Sequence, residues 1–455
     1  MRYTAAELAA LLPGSRLLGD AGALATGAAA DSRELRPGDL FVALPGSRAD
    51  GHDFLPQAWR AGATVALVRR DPGPLPPGRA AVQVTDSRQA LEELARAHRR
   101  RWGGPVVAVT GSVGKTSTRD LVAAVLATRF HVLRAERNFN TEVGVPLTLL
   151  RLEPGHEAAV LELAMRGPGE IRTLARIAEP ETGVVTRIAP VHLEFLGSME
   201  AIARAKGELL EELPPSGRAV LSADDPWQAF MASLSRAPVL WYGRSPAAQV
   251  RCQEVEAGAE RSRFLLRLPD GRSVRVELPH PGEHMVWDAT AAAAVGLLFG
   301  LEPEEVAAGL ARAELTGHRN RLLRAGAWTV LDDCYNSSPA SLEAALAVLA
   351  RAPGRRWAVL GDMLELGPEA ERYHREAGER AGAYGLALLV AVGAWAETMA
   401  EAARRAGVPE AIAVADAGEA AALARERVRP GDTVLVKGSR ALELERVVEA
   451  LSHGA

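Results

Sequence analysis

The chain is poor in lysine and in cysteine. Of its 53 basic residues only three are lysines, Lys115, Lys206 and Lys437. Arginine cannot replace lysine where a compact charge or a reactive amine is required, so these three lysines are candidates for functional positions. The two cysteines, Cys252 and Cys334, are too few for a disulfide scaffold or a cysteine zinc site.

Other absences narrow the class of protein further. No apolar run is long enough to span a bilayer, and the first residues predict an amphipathic helix with a capping box of Thr4 and Glu7, not a signal peptide. The net charge of -4 gives no positive surface for nucleic acid. We therefore expect a cytoplasmic protein, monomeric, with small molecules as partners and neither nucleic acid nor a membrane.

The most informative stretch is PVVAVTGSVGKTSTR, which starts at Pro105. Val106 to Thr110 predict a buried strand, the next four residues predict a tight glycine loop, and Lys115 and Thr116 open a helix. The amides of such a loop and the start of the helix face an anion. Lys115 adds a compact charge for the β- and γ-phosphates, and the Thr116 hydroxyl is suited to Mg²⁺.

This loop departs from the general phosphate-binding pattern G-x-x-x-x-G-K-[ST]. Val109 stands where the pattern has its first glycine, so that G-x-x-G-K-T remains. The alternative is an ordinary glycine turn that joins a strand to a helix. Strand, loop, Lys-Thr pair and helix all agree with phosphate binding, so the sequence predicts a site for a nucleoside triphosphate.

Three charged or titratable residues that follow the loop are candidates for functional roles. Glu162 is the lone charge near the end of a predicted strand, Ala158 to Leu163, and a carboxylate beside a phosphate loop suits Mg²⁺. His192 lies in a loop after another predicted strand, and Lys206 lies on a helix among acids. For each residue the alternative is that it has no functional role: Glu162 and Lys206 would be solvated surface side chains, and His192 would be a structural histidine.

The order of predicted elements indicates an α/β protein of three domains. Residues 1–84 predict a small α/β binding domain, and residues 85–318 a phosphate-loop domain with a mainly parallel sheet. In residues 319–455 strands and helices alternate as in a doubly wound, Rossmann-like sheet. This last part has no G-x-G-x-x-G, which disfavours dinucleotide binding, and its strands end in polar residues where such sheets bind ligands.

Several segments together resemble the Mur ligases of peptidoglycan synthesis, over nearly the whole chain. The resemblance is carried by DSRELRPGDLFVAL, DGHDF, TGSVGKTST, NFNTEVGVP, APVHLEFLG, AKGELL, LDDCYNSSPASLEAAL, VLGDMLELG and LVKGSRALELE. It implies an ATP-dependent ligase whose three domains bind a UDP-sugar peptide, ATP and the incoming amine, in that order. The last three motifs point to UDP-MurNAc-tripeptide and D-Ala-D-Ala as the substrates.

The resemblance also implies roles for particular residues. The ATP site would consist of Gly111, Ser112, Val113, Gly114, Lys115, Thr116, Ser117, Asn138, His284, Arg319 and Asp333. Two Mg²⁺ ions are expected at Thr116, Glu162, His192 and Lys206, with Lys206 carbamylated. The residues expected to act in catalysis are Lys115, His192, Lys206 and Arg319. Contacts to the other substrates are expected from Ser32, Arg33, Asp50, Asn336, Asp362 and Lys437.

The chain departs from the family pattern at four positions where the family usually has asparagine. Val113 and Ser222 are two of them, and Met285 and Asp288 replace two asparagines that contact adenine. The whole chain has only four asparagines. We therefore interpret the losses as compositional drift with compensation, in which ATP binding is retained.

Two other functions stay open. A relative that adds the third stem-peptide residue, or a folylpolyglutamate synthase, would share the loop and the Lys206 segment, but VLGDMLELG and KGSR favour neither. A nucleotide-binding switch without ligase activity is the other alternative. Glu162, Lys206 and a dedicated carboxyl-terminal sheet disfavour it.

Overall fold

The computed structural model describes residues 1–46, 49–135 and 139–452. The predicted ATP contact Asn138 lies outside these residues. Within them the α/β fold class is confirmed: three larger sheets follow one another along the chain, each covered by helices. We call them the first, central and third sheets. They fall in the three predicted segments, while the domain boundaries themselves stay predictions.

The first sheet has five strands in the order β2-β7-β6-β5-β4, with β2 antiparallel to β7, and a two-stranded ribbon of β1 and β3 lies beside it. The predicted capping box of Thr4 and Glu7 is confirmed at the start of the first helix. The elements are β1 (Tyr3–Thr4), α1 (Ala5–Ala10), β2 (Arg16–Gly19), β3 (Leu24–Ala25), β4 (Gly27–Ala29), β5 (Asp39–Val42), α2 (Leu55–Arg60), β6 (Val65–Val68) and β7 (Ala80–Gln83).

The central sheet has nine strands in the order β16-β15-β14-β13-β12-β11-β8-β10-β9. It is parallel from β9 to β14 and antiparallel at β15 and β16. Its strands are β8 (Val106–Thr110), β9 (Val132–Arg134), β10 (Ala158–Glu162), β11 (Thr182–Val185), β12 (Arg218–Ser222), β13 (Val239–Gly243), β14 (Val250–Ala257), β15 (Ser262–Arg267) and β16 (Ser273–Leu278). Its helices are α3 (Ser87–Trp102), α4 (Lys115–Leu126), α5 (Gly144–Leu149), α6 (Glu170–Ala178), α7 (Leu193–Leu196), α8 (Met199–Glu211), α9 (Gln228–Leu234), α10 (Glu283–Leu298) and α11 (Pro303–Ala311).

The middle strands of this sheet position the phosphate loop. Every residue of β8 and β10 is buried, because helices cover both faces of a parallel sheet and its strands are continuous apolar runs. The two strands are neighbours, so the loop after β8 and Glu162 at the end of β10 meet at one edge. Helix α10 is rich in small apolar residues and packs on α4, which fixes the helix that follows the loop.

The third sheet is the predicted doubly wound sheet, with six strands in the order β17-β18-β22-β19-β20-β21 and only β17 antiparallel. Its elements are β17 (Arg321–Ala325), β18 (Trp328–Asp332), α12 (Pro339–Ala350), β19 (Arg356–Gly361), α13 (Ala370–Ala383), β20 (Leu388–Val392), α14 (Ala396–Arg405), β21 (Ala411–Val414), α15 (Ala417–Arg427), β22 (Thr433–Lys437) and α16 (Glu445–Ser452). In the described ranges no helix is both long and apolar enough to cross a membrane.

Candidate active site

A cleft of about 1110 Å³ separates the central sheet from the third sheet. It lies at the carboxyl ends of parallel strands of both sheets, the usual place for ligands in α/β proteins. Both sheets contribute to its lining: Ser112, Val113, Gly114, Lys115, Thr116, Ser117, His192, His284, Arg319, Asp333, Asn336 and Lys437. The structure thus brings most of the predicted ATP and catalytic residues to one place.

The phosphate loop depends on glycine where its backbone approaches other groups. Gly111 has φ of 144°, and a Cβ there would lie 2.0 Å from the Thr186 hydroxyl oxygen, so no larger residue fits. Gly114 has φ of 83° and precedes the helix. The Ser112 amide donates to the carbonyl of Arg187 at 2.7 Å, which fixes the loop against the end of β11.

Lys115 points back over this loop. Its Nζ donates to the carbonyls of Gly111 at 2.9 Å and Ser112 at 3.2 Å. Burial lowers the pKa of Lys115, while the nearby carboxylate of Glu162 opposes that shift. A small ammonium group therefore lies at the mouth of the loop, placed to meet phosphate oxygens.

Glu162 is buried, 2% exposed, so the solvated alternative is wrong. It accepts hydrogen bonds from the Thr116 hydroxyl at 2.7 Å and from the Asn140 amide at 2.8 Å. Burial alone would raise its pKa, but the charges of Lys115 and Arg119 outweigh burial and lower it. An ionised carboxylate beside a hydroxyl is a pair of hard oxygen ligands, and it fits Mg²⁺.

Lys206 is fully buried on α8, so it is not a solvated lysine. Its Nζ has no hydrogen-bond partner among the described residues. Burial first, and then the charge of Lys115, lowers its pKa well below 10.5. Burial thus favours the neutral form of this unpartnered amine, and carbon dioxide adds to a neutral amine when a carbamate forms.

His192 precedes α7 with φ of 53°, in the left-handed region. Its Nδ1–H donates to a carboxylate oxygen of Glu365 at 2.5 Å, which leaves Nε2 with its lone pair. Burial lowers its pKa, and the hydrogen bond to the Glu365 carboxylate opposes that shift. Burial thus favours the neutral imidazole, the form in which histidine binds metals.

The third sheet places an arginine opposite the phosphate loop. The Arg319 guanidinium stacks on the Tyr335 ring, with its central carbon 4.2 Å from the ring centroid. Its charge acts on both Lys115 and Glu162. Arg319 is therefore near enough to interact with a phosphoryl group held by the loop.

Asp333 lies beside Arg319 in the same wall and is fixed by two neighbours. One carboxylate oxygen accepts from Lys437 Nζ at 2.5 Å, and the other accepts from the Asn320 amide at 3.0 Å. Lys437, only 2% exposed, also donates to the carbonyl of Asn336 at 2.9 Å. Lys437 thus pairs with Asp333, which lies 104 positions earlier in the chain.

Met285 and Asp288, at the positions where the family has asparagines that contact adenine, lie in different surroundings. Met285 is 0% exposed and belongs to the core between the central sheet and α10, so it does not meet a ligand. Trp287 and Asp288 line the cleft, as does Ser222. Arg187 lies over the Trp287 ring at 5.6 Å.

Asp288 is the replacement with the largest electrostatic consequence. One of its oxygens lies 2.6 Å from where a Cβ on Gly114 would be, so the carboxyl group is next to the loop. Burial raises its pKa to about 8, whereas burial lowers the pKa of His284 to about 4. A neutral carboxylic acid presents one O–H donor and one carbonyl acceptor, as an amide side chain does.

The remaining predicted contacts lie outside this cleft, as far as the described residues define it. Arg33 forms an exposed pair with Asp31 at 2.6 Å, and Asp50 accepts from His52, which lowers the Asp50 pKa to about 2. Asp362 accepts from the amides of Ala394 and Trp395 at 2.7 and 3.0 Å. The substrate roles of these residues, and of the buried Ser32, stay predictions.

Sequence reasoning missed Arg187, Trp287 and Glu365, which all line the cleft. An arginine and a tryptophan near the phosphate loop are visible in the sequence only after the strand ends are known. Glu365 lies inside the motif VLGDMLELG, but nothing local indicates that it reaches a residue of the central sheet.

A phosphate loop, a group of metal-type ligands and a facing α/β sheet together define a nucleotide-dependent enzyme. Three family descriptions match consecutive parts of the chain: the "Mur ligase family, catalytic domain" at residues 25–99, the "Mur ligase middle domain" at 109–296, and the "Mur ligase, glutamate ligase domain" at 318–440. The chain belongs to the Mur ligase family of ATP-dependent ligases. A switch without ligase activity is thereby excluded.

Similar proteins cover almost the full length. The UDP-N-acetylmuramoyl-tripeptide–D-alanyl-D-alanine ligase of Escherichia coli K12 is 38% identical, with 93% of each chain covered. That of Mycobacterium bovis is 40% identical over 92% of this chain and 91% of the relative. A crystal structure of MurF from Acinetobacter baumannii has a TM-score of 0.89 at 30% sequence identity, and the match covers 100% of this chain and 99% of that chain. The crystal structure of MurF from Thermotoga maritima in complex with ADP has a TM-score of 0.81 at 30% sequence identity. The match covers 94% of this chain and 97% of that chain.

Proposed function

We propose that this chain joins D-alanyl-D-alanine to UDP-N-acetylmuramoyl-tripeptide, with ATP converted to ADP and phosphate. The similar ligases named above act on these substrates by name. The observation that carries the proposal is the cleft, in which Lys115 of the central sheet and Arg319 of the third sheet both line the wall. Glu162 and Lys206 are buried behind the phosphate loop, and the charges of Lys115 and Glu162 act on Lys206. The product is the pentapeptide precursor of peptidoglycan.

The chemistry follows from the weakness of a carboxylate as an electrophile. A carboxylate oxygen of the tripeptide attacks the γ-phosphorus of ATP, the bond between that phosphorus and the bridging oxygen breaks, and ADP leaves. The amine of D-Ala-D-Ala then attacks the carbon of this acyl phosphate. The carbon–oxygen bond to phosphate breaks, the amine loses a proton, and an amide results.

The chain's own residues stabilise the charge that moves in these steps. Lys115 and the loop amides bind the phosphates, and Arg319 offers its guanidinium to the transferring group. Two Mg²⁺ ions, when bound, would neutralise the negative charge between carboxylate and triphosphate. Thr116 and Glu162 would hold one of them, and Glu162, His192 and a carbamylated Lys206 would hold the other.

The three parts of the chain divide the substrates between them. Residues 1–84 would bind the UDP-sugar peptide through Ser32, Arg33 and Asp50, residues 85–318 ATP, and residues 319–455 the dipeptide. Movement of the third sheet toward the central one would bring Arg319 and Asp333 onto the nucleotide and exclude water. Because ATP is supplied inside the cell, we place this reaction in the cytoplasm, catalysed by a monomer.

The proposal predicts that phosphate release from ATP requires both other substrates. We expect rapid release with UDP-MurNAc-tripeptide and D-Ala-D-Ala together, and only background release when either one is omitted. A coupled phosphate assay measures this directly, with the UDP-MurNAc-dipeptide plus a diamino acid, and a folate plus glutamate, as control substrate pairs. Steady release without any acceptor, or release with a control pair alone, would contradict the assignment.

Asp288 predicts a pH dependence of ATP binding. Its pKa of about 8 makes it neutral at pH 7, and at higher pH an ionised carboxylate beside Gly114 would repel the triphosphate. Above pH 8 we expect the KM for ATP to rise by up to about tenfold per pH unit. Asp288→Asn keeps the shape and removes the titration, so its profile should be flatter. Parallel profiles for both proteins from about pH 7 to 9.5 would refute this role.

A further inference from the structure

The carboxylate of Glu365, from the third-sheet part of the chain, contacts His192, a predicted metal ligand in the central-sheet part. Glu365 lies between β19 and α13, and it accepts the Nδ1–H of His192 at 2.5 Å. Its other oxygen lies 3.4 Å from Nε of Arg166. Both His192 and Glu365 are largely shielded from solvent, with side chains 22% and 27% exposed.

The backbone of both partners is held in an unfavourable conformation at this contact. His192 and Glu365 have φ of 53° and 63°, in the left-handed region that non-glycine residues rarely adopt. The Glu194 amide donates to the Glu365 carbonyl at 3.2 Å, and a Cβ on Gly367 would lie 3.1 Å from the Glu194 Cα. Such conformations persist where the surroundings enforce them, and they concentrate at functional sites.

The loop that carries Glu365 is fixed from behind. The Leu364 amide donates to the Ser439 hydroxyl at 3.0 Å, and the Met363 amide donates to Nε2 of His374 at 2.9 Å. The other ring nitrogen of His374 donates to the Ala370 carbonyl at 2.6 Å. These hydrogen bonds tie the loop of Glu365 to the third sheet, so we expect Glu365 to move together with that sheet.

We propose that Glu365 is a positioning residue that orients His192 for the second metal ion. A carboxylate that accepts Nδ1–H fixes the tautomer and the ring, so that Nε2 is presented to a metal, and this outer contact is common among metal-binding histidines. Here the carboxylate comes from the opposite side of the cleft. The metal site would therefore be complete only when the third sheet has closed, which couples closure to metal binding. The inference rests on the metal role of His192 in the proposed function.

The competing explanation is that the contact between His192 and Glu365 only holds the central-sheet and third-sheet parts of the chain together. The chain offers a matched control, because Arg324 and Glu260 also form an ion pair between the third and the central sheet. That pair lies at exposed side chains and involves neither His192 nor any other residue of the cleft lining. Glu260→Gln should weaken a contact between these two parts of the chain without affecting a metal ligand.

The experiment measures Mn²⁺ binding by electron paramagnetic resonance, with a non-hydrolysable ATP analogue present. We expect two classes of Mn²⁺ site in the wild-type protein and loss of the weaker class in His192→Ala. Glu365→Ala should weaken that class by about ten- to a hundredfold. Glu365→Gln keeps a hydrogen-bond acceptor and should weaken it less, by about threefold to tenfold, and Glu260→Gln should leave it within about twofold.

The outcomes separate this inference from the proposed function. If His192→Ala weakens Mn²⁺ binding but neither Glu365 variant does, Glu365 is only a contact between the two parts of the chain and the inference is wrong. If the wild type has one class of site, the metal role of His192 fails as well. Small-angle X-ray scattering gives a second readout, because it measures closure through the radius of gyration. If closure favours metal binding, metal binding must favour closure to the same extent. Mn²⁺ with the ATP analogue should lower the radius of gyration of the wild type, and equal compaction of Glu365→Ala would overturn the coupling.

Discussion

Lys206→Met is expected to abolish ligation while it stabilises the protein. The buried amine has no partner among the described residues, so an apolar side chain of similar length should raise the free energy of unfolding by about 1–3 kcal/mol in carbonate-free buffer. Loss of the proposed carbamate would remove a ligand of the proposed second metal ion, and we expect the rate to fall by about a thousandfold. Activity close to that of the wild type would refute the carbamate.

The stability difference should depend on pH. The pKa of Lys206 is lowered in the folded protein, so between that lowered pKa and about 10.5 the unfolded chain holds a proton that the folded chain lacks. Wild-type stability therefore rises with pH in this window, and the advantage of the Met variant is greatest at its acid end. Chemical denaturation at several pH values measures this. An advantage that grows toward pH 10 would contradict the burial argument.

The modification itself has a direct readout. We expect isotopically labelled bicarbonate to give a carbamate carbon signal in the wild type and none in Lys206→Met. Lys206→Arg is the conservative control, because its guanidinium keeps a positive charge but does not form the carbamate. An unchanged signal in Lys206→Arg would place the carbamate on another amine.

The second large effect is expected at Lys115, where even arginine should fail. Its Nζ fits between the carbonyls of Gly111 and Ser112, and the planar guanidinium is too large for that position. Lys115→Arg should lower kcat/KM for ATP by about a hundredfold to a thousandfold. Lys115→Met, which removes the charge, should lower it at least as much.

Calorimetric titration with the ATP analogue separates binding from catalysis in these variants. Thermal unfolding provides the control, because a loop residue at the mouth of the cleft should change the melting temperature by only a few degrees, about the effect of 1 kcal/mol. An arginine variant with wild-type kcat/KM would show that the chain's use of lysine here is accidental.

Local patterns made much of the site predictable. The phosphate loop follows from a strand, glycines and a Lys-Thr pair within a dozen residues, and the α/β class follows from alternating apolar runs and helices. The position of Glu162 near a strand end could also be predicted from the sequence. The alternative that Glu162 and Lys206 are solvated surface residues is wrong, because both side chains are buried. The scarcity of lysine selected Lys115, Lys206 and Lys437 before any fold was known.

Pairings between distant residues were not predictable. His192 and Glu365 are 173 positions apart, and Lys437 meets Asp333 across 104 positions, not its near neighbours. Likewise, only packing shows that Met285 faces the core while Asp288 faces the cleft. The sequence alone determined which residues are candidates for the chemistry, because that choice depends on residue type and on short-range geometry. The tertiary structure decided which of them meet and which lose their solvent, because both depend on how separate sheets pack against each other.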